Sequence, residues 1–347
     1  MTLPAIAVVG AGAIGRKHVA ALAQSRTARL AALVDPSPTA AALAAEHGVP
    51  LVADLAELDG VAGVILATPT SLHLAQALEC IGRGWPVLVE KPVAATAAEG
   101  AQMAAAADAA GVPVLVGHHR RHNPRIAAAR AALQSGAVGR VIAVQASVLL
   151  CKPDDYFAPD WRRQPGAGPV LTNLIHEIDT MRHLLGEVVS VQAVTSNAVR
   201  GFAVEDSAVA LLRFASGALA TVTVSDAAAA PWSWELTAEE NPDYPPTGQR
   251  CLLISGTEGA LELPNLRLWR HAKGPRGWFT PLLAQDLPVA DEDPLIRQID
   301  HFVAVIGGTE PPLVTAADAA RSVAVVDAIL RAAKTGHSET PHQGAAA

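Results

Sequence analysis

Five stretches in the first 120 residues are apolar almost without a break: "AIAVVG" (5–10), "ARLAALVD" (28–35), "VAGVILATP" (61–69), "PVLVEKP" (86–92) and "VPVLVGHH" (112–119). Runs of this kind belong to strands covered on both faces, as in a parallel sheet between helices. Alanine-rich helical stretches lie between them, near 14–25, 37–47, 71–83 and 96–110. The alternation predicts a doubly wound α/β domain over 1–121. Beyond it the rhythm changes. A helix is expected near 123–135, a strand near 140–151, a Gly/Pro-containing loop over 152–168, and one helix over about 169–185. Alternating strands follow, "SWELTAEE" (233–240) among them, with turn residues at "ASGA" (215–218) and "GTEGA" (256–260). Two late helices fall at 294–308 and 316–336. The segment 122–335 thus reads as a second α/β domain with a large, open, mostly antiparallel sheet. The aperiodic end, 336–347, is expected to be disordered.

Composition narrows the function classes. The chain has 347 residues, half of them hydrophobic, and a formal net charge of −7. Outside "HHRRHNPR" (118–125) the basic residues are scattered, so neither nucleic acid nor an anionic membrane is an expected partner. Three separated cysteines form no Cys-x-x-Cys pair, so a structural zinc site of that kind is not expected. His118 and His122 read as part of a loop rather than as metal ligands, and no metal is expected. An odd, sparse count suits a reducing compartment. The N-terminus lacks a basic leader region and runs straight into a strand. A cytoplasmic protein is expected.

The first turn carries chemistry. "VVGAGAIGRKH" (8–18) spaces Gly10, Gly12 and Gly15 as Gly-x-Gly-x-x-Gly between a strand and a helix. Gly10 permits the tight turn, Gly12 admits a pyrophosphate to the backbone, and Gly15 lets helix pack on strand. Ala13 and Ile14 open the helix whose N–H groups would meet the phosphates. Asp35 ends the second strand, where a carboxylate takes ribose hydroxyls. It would repel a 2′-phosphate, and Pro36 and Ser37 follow rather than arginine. NAD is therefore expected, and NADP less so.

A second stretch is harder to read. In "PVLTNLIHEID" (169–179), winding at about 100° per residue puts Leu171, Leu174, Ile175 and Ile178 on one side. Thr172, Asn173, His176 and Asp179 fall on the other. Alone, this is an amphipathic surface helix with a solvated polar face.

With "VLVEKP" (87–92) and "ATPTSLH" (67–73) added, the chain resembles the glucose–fructose oxidoreductase/inositol dehydrogenase (Gfo/Idh/MocA) family over essentially 1–335. The resemblance implies a Rossmann domain followed by an open-sheet α/β domain, and oxidation or reduction of a carbinol in a sugar, cyclitol or related polyol. It implies that Lys91 sits near the reacting oxygen. Glu90 and Pro92 would fix the cofactor side of that turn, Thr68, Pro69 and His73 would line the dinucleotide cleft, and His119 and Arg120 would approach nicotinamide or substrate. "DWRRQPGAG" (160–168) resembles the family's Trp-Arg loop and makes Trp161 and Arg162 candidates for the site mouth. The polar face around His176 then turns toward substrate, with Thr172 or Asn173 holding a hydroxyl. The family's carboxylate, four residues before the histidine, is here Thr172.

Hydride transfer from a carbinol needs a base and something to steady the alkoxide. Histidine suits the base, since its ordinary pKa of about 6.5 lies near working pH. Lysine, ordinarily cationic, could orient the oxygen or, if buried, act as the base itself. The residues leave that assignment, and the direction of reaction, open. An NAD-dependent polyol, cyclitol or sugar dehydrogenase is the main expectation. A non-sugar diol or hydroxy-acid oxidoreductase, and a non-catalytic NAD-binding sensor, are the alternatives. The loop 237–248 reads equally as a lid, a subunit contact or plain surface. The apolar strands of 187–224 predict a homodimer or homotetramer.

Overall fold

A computed structural model describes residues 3–273 and 276–342. The chain divides into two compact units. One holds the residues up to His122 together with Glu292–Val323, and the other holds Asn123–Asp291 with Ala324–His342.

The first unit begins with β1 (Ala5–Val9), α1 (Ala13–Gln24), β2 (Arg29–Val34), α2 (Ala41–Glu46) and β3 (Leu51–Val52). It continues with β4 (Gly63–Leu66), α3 (Thr70–Gly82), β5 (Val87–Val89), α4 (Ala97–Ala110) and β6 (Val114–Val116). Its six strands are ordered β3-β2-β1-β4-β5-β6, all parallel. Every residue of β1, β4, β5 and β6 is buried, which is why these strands are continuous apolar runs rather than alternating ones. The order reverses beside β1, so the carboxyl ends of β1 and β4 flank the switch point where such sheets bind ligands.

The second unit holds α5 (Pro124–Gln134), β7 (Val141–Leu149), α6 (Pro169–Thr172), α7 (Ile175–Leu185), β8 (Val188–Ser196), β9 (Ser207–Phe214), β10 (Leu219–Ser225), α8 (Trp234–Thr237), β11 (Leu252–Gly256), β12 (Gly259–Leu263), β13 (Arg267–His271) and β14 (Leu282–Asp286). Its eight strands run β14-β13-β12-β11-β7-β10-β9-β8. All pairings are antiparallel except β7 with β10. In β9, Ala208, Ala210, Leu212 and Phe214 point inward while Val209, Leu211 and Arg213 alternate outward. The outward face stays apolar, with Ile142, Val194, Val209, Leu211 and Leu219 exposed.

The chain then returns to the first unit with α9 (Pro294–Ile306), followed by α10 (Ala316–Thr335). Ile299 and Phe302 of α9 join the core formed by Ile6, Val19, Leu22 and Ile65. Gly63 makes room for it, since a Cβ there would lie 2.7 Å from Ile306 Cδ1. The second expected segment, 122–335, is thus interrupted: 292–323 folds with the first unit.

Three expectations are corrected. Within "SWELTAEE", Trp234–Thr237 form the short helix α8, and no residue of the stretch is in a strand. The single helix over 169–185 is two helices, α6 and α7. Both Asn173 N–H (3.1 Å) and Leu174 N–H (2.9 Å) bond to Pro169 O, and His176 N–H bonds to Asn173 O (3.1 Å). That wide turn resembles the single π-type turns found inside helices at functional sites. Thirdly, residues up to 342 in the supposed tail are placed. Val191 and Glu339 exchange backbone hydrogen bonds of 2.8 Å, and Arg331 pairs with Glu339 at 3.3 Å. A strand at a sheet edge offers unpaired backbone groups, and a segment needs no hydrophobic period to bond to them. The remainder of that expected tail, 343–347, lies outside the described residues.

Candidate active site

In the first unit the glycine turn is shaped as the motif requires. Gly10 has φ +94, and a Cβ on it would lie 2.7 Å from Ala67 O; at Gly15 one would lie 1.9 Å from Gly10 O. A Cβ on Gly12 would meet nothing within 4 Å, so this backbone faces the open space a pyrophosphate needs. Gly12 caps α1 without a side chain, and the first turn carries no acid. The N–H groups opening at Ala13 and Ile14 thus receive no side-chain cap, which is what an anion-binding helix start requires. Asp35 Oδ2 accepts the Ala11 N–H at 2.7 Å, and Oδ1 accepts the Ser37 N–H at 2.8 Å. Two backbone donors thus anchor the carboxylate, and each oxygen keeps a lone pair for a ribose hydroxyl. These residues fit NAD.

Two strands from β1, beyond β4, lies Lys91. Glu90 N–H bonds to Leu66 O at 2.9 Å, and the Lys91–Pro92 peptide is cis. Glu90 is buried, and its Oε2 accepts the Lys91 backbone N–H at 3.1 Å. Its Oε1 is 2.7 Å from Nε2 of His18, which has no exposure at all. Gly117 packs so closely that a Cβ would fall 2.8 Å from Glu90 Oε1. Burial opposes the Glu90 charge, but the His18 hydrogen bond and the charges of His18, Lys91 and His119 outweigh it. The carboxyl is held below its ordinary value. His73 is buried, and its ring nitrogens lie 2.9 Å from Pro92 O and Thr68 O, so it joins the two turns from within. Thr68 Oγ1 donates to Gln76 Oε1 at 2.6 Å, and Pro69 caps α3.

The basic stretch after β6 is not a cationic surface. Arg120, Arg121 and His122 are buried and His119 is half-buried. Arg121 pairs with Asp318 at 2.6 Å. Burial, followed by the nearby charges of His301, His119 and Arg297, pushes His122 down to about 3, so it stays neutral.

In the second unit both sides of α7 are buried, which corrects the solvated polar face. His176 is 7 % exposed, and Glu177, Asp179 and Thr180 are buried with it. Asn173 lines a cavity of about 430 Å³ together with Lys152, Tyr156, Glu235 and Tyr244. Thr172 is occupied otherwise. Its hydroxyl lies 2.9 Å from Gly168 O and 3.0 Å from Asn173 Oδ1, and it accepts from Lys152 Nζ at 3.4 Å. Trp161 is 61 % exposed, and Arg162 Nη1 donates to Tyr156 O at 2.5 Å with its guanidinium 4.1 Å from the Tyr156 ring centroid. Neither Trp161 nor Arg162 lines the cavity; Arg162 braces Tyr156, which does. Tyr244 and Pro245 bring the 237–248 loop into the wall.

Two polar groups escaped the sequence reading. His18 lies three residues after Gly15 on the buried stripe of α1 with Leu22, a spacing visible in "GRKHVAAL". Lys152 lies three residues beyond the end of β7, and its partner Asp226, 3.3 Å away, directly follows β10. The register pairs Leu149 with Ser225 in parallel, so both charges emerge at one sheet edge. Among the described residues no helix is long and apolar enough to cross a membrane.

The chain is similar to known proteins. Residues 5–118 match the model of an oxidoreductase family with an NAD-binding Rossmann fold, and 126–262 match the GFO/IDH/MocA C-terminal domain. The chain is 29% identical over 344 residues to 1,5-anhydro-D-fructose reductase from Ensifer adhaerens, covering 95% of this chain and 96% of that protein. It is 32% identical over 191 residues to the rhizopine catabolism protein MocA of Rhizobium meliloti, covering 54% of this chain but only 59% of that protein. An inositol 2-dehydrogenase from Rhizobium meliloti strain 1021 is 27% identical over 340 residues, covering 93% and 95%. Among solved structures, the WlbA dehydrogenase of Bordetella pertussis, in complex with NADH and UDP-GlcNAcA, superposes with a TM-score of 0.78 at 25% identity, covering 98% and 99%. With both halves matched by models of one family, the chain belongs to the Gfo/Idh/MocA family of NAD-binding oxidoreductases.

Proposed function

We propose that the protein transfers a hydride between NAD and a carbinol or carbonyl carbon of a small polyhydroxylated molecule of the sugar or cyclitol class. One observation carries this reading. The Gly10–Gly15 turn after β1 and Lys91 after β5 open at the same carboxyl edge, with only β4 between them. The names of the relatives, an anhydrofructose reductase and an inositol dehydrogenase, support the substrate class.

Bound NAD supplies the hydride acceptor or donor. The chain's own residues handle the proton. Lys91, its backbone fixed by Glu90, brings an ammonium that lowers the alcohol's pKa and steadies the developing alkoxide. His176 offers an imidazole as general base, and Asn173 an amide for a neighbouring hydroxyl. Gly10, Gly12, Ala13, Ile14, Gly15 and Asp35 hold the pyrophosphate and ribose. Replacing Lys91 by Met and His176 by Ala should each lower kcat at least about a hundredfold while NAD affinity changes little. Their effects should be non-additive if both groups act on one proton. Near-normal turnover in Lys91→Met on an identified substrate would refute the mechanism.

The protein works as a cytoplasmic homodimer or homotetramer. The three free thiols, Cys80, Cys151 and Cys251, support a reducing compartment. The exposed apolar face of the eight-stranded sheet, with a groove walled by Leu211, Leu219 and Leu253, supports self-association.

A further inference from the structure

The cavity in the second unit has a charge arrangement that neutral polyols do not require. Lys152 Nζ carries three protons. One faces Asp226 Oδ2 at 3.3 Å and one faces Thr172 Oγ1 at 3.4 Å, both long contacts. The third is left for the cavity that Lys152 lines. Asp226 does not belong to Lys152 alone, since its Oδ1 accepts from Arg200 Nε at 3.2 Å. Arg200's other carboxylate neighbour, Asp154, is 3.8 Å away and fully exposed. Two partly buried cations thus share the buried carboxylate of Asp226. Burial pushes the nearby Glu205 carboxyl up and the Lys152 ammonium down, while Asp226 and the wall carboxylate Glu235 favour the charged lysine.

The other polar groups on the wall sort by hydrogen-bonding sense. Asn173 Oδ1 is within reach of the Thr172 hydroxyl at 3.0 Å, which directs the amide's N–H groups elsewhere. Burial keeps Tyr156 and Tyr244 protonated. Glu235 is the carboxylate on the wall, and a carboxylate accepts from hydroxyls. At about 430 Å³ the cavity suits a small molecule.

We infer that Lys152 anchors a carboxylate on the substrate, so that this cavity takes a hydroxylated carboxylic acid, with its acid group toward Lys152 and Asn173 and its hydroxyls toward Glu235. The inference deepens the proposed function and rests on it for the reaction, but not for the binding. Lys152 is the specificity-determining residue.

The test uses the full chain with NAD⁺ and two matched pairs, D-gluconate against D-glucitol and D-glucuronate against D-glucose. For at least one pair the acid should be favoured by about tenfold or more in kcat/KM, the worth of one charge-assisted hydrogen bond. Lys152→Gln should raise KM for that acid about tenfold and leave the neutral partner within about twofold. Lys152→Arg, which keeps the charge, should retain most of the preference and serves where the glutamine variant melts early. Calorimetric titration of both acids into the NADH-loaded protein is read separately. Acid binding that Lys152→Gln weakens, without any turnover, supports the anchor and refutes hydride transfer on these compounds. Equal use of acid and neutral members overturns the inference and leaves the proposed function standing. So does an equal loss on both in Lys152→Gln. Absence of acid binding by the unaltered protein also overturns it.

Discussion

His18→Ala tests whether the buried charge of Glu90 depends on one hydrogen bond. The substitution removes the donor 2.7 Å from Glu90 Oε1 and leaves a carboxylate that is 3 % exposed. Only the Lys91 N–H at 3.1 Å would still serve it among the contacts described above. Removing one partner of a buried charged pair costs about 3–5 kcal/mol. At about 2–4 °C per kcal/mol for a unit of this size, the melting temperature should fall on the order of 10 °C. The deficit should depend on pH in a defined sense. Burial raises the Glu90 pKa, and His18, Lys91 and His119 together bring it below the ordinary 4.5. The ionised carboxylate therefore contributes stability that is fully present above 4.5 and is lost as pH falls through the lower folded value. Melting curves by circular dichroism should show the wild-type advantage constant near neutrality and shrinking in acid, where Glu90 is protonated in both proteins. On a Glu90→Gln background, with no charge to strand, His18→Ala should cost only about 1–2 kcal/mol. A His18→Ala variant melting within about 2 °C of wild type at neutral pH would refute the argument. So would a deficit that does not change in acid.

Asp35→Ser should narrow the gap between NAD(H) and NADP(H) in fluorescence titrations, because it removes the charge that repels a 2′-phosphate. It should also loosen the glycine turn by removing the acceptor of the Ala11 N–H; tighter NADP(H) binding by the unaltered protein would refute the assignment. Light scattering at micromolar concentration should report a dimer or tetramer, and Leu211→Lys combined with Leu219→Lys on the open sheet face should shift it to monomer while cofactor binding persists. A monomeric wild-type protein would refute the self-association.

The sequence by itself determined the elements whose burial is uniform or strictly periodic. β1, β4, β5 and β6 are legible because both faces of the first sheet are covered, so every residue is apolar. Gly10 and Gly15 are legible because no side chain fits where the turn meets Ala67 and helix meets strand. β14 was not legible, since all five of its residues are exposed and no pattern marks them. The break at Asn173 was not legible either, because it turns on which carbonyl two successive N–H groups choose, and both choices leave the same residues apolar. Tertiary structure alone decided the polar pairs. His18 and Glu90 are 72 residues apart and meet only because α1 packs over the edge where β5 ends. Lys152 and Asp226 meet only because β7 and β10 pair in parallel and deliver the residues after each strand to one edge. Hydrophobic period reports how deeply each residue sits along its own element. Which charged residue faces which is set by how elements far apart in the chain pack, and no local pattern records that.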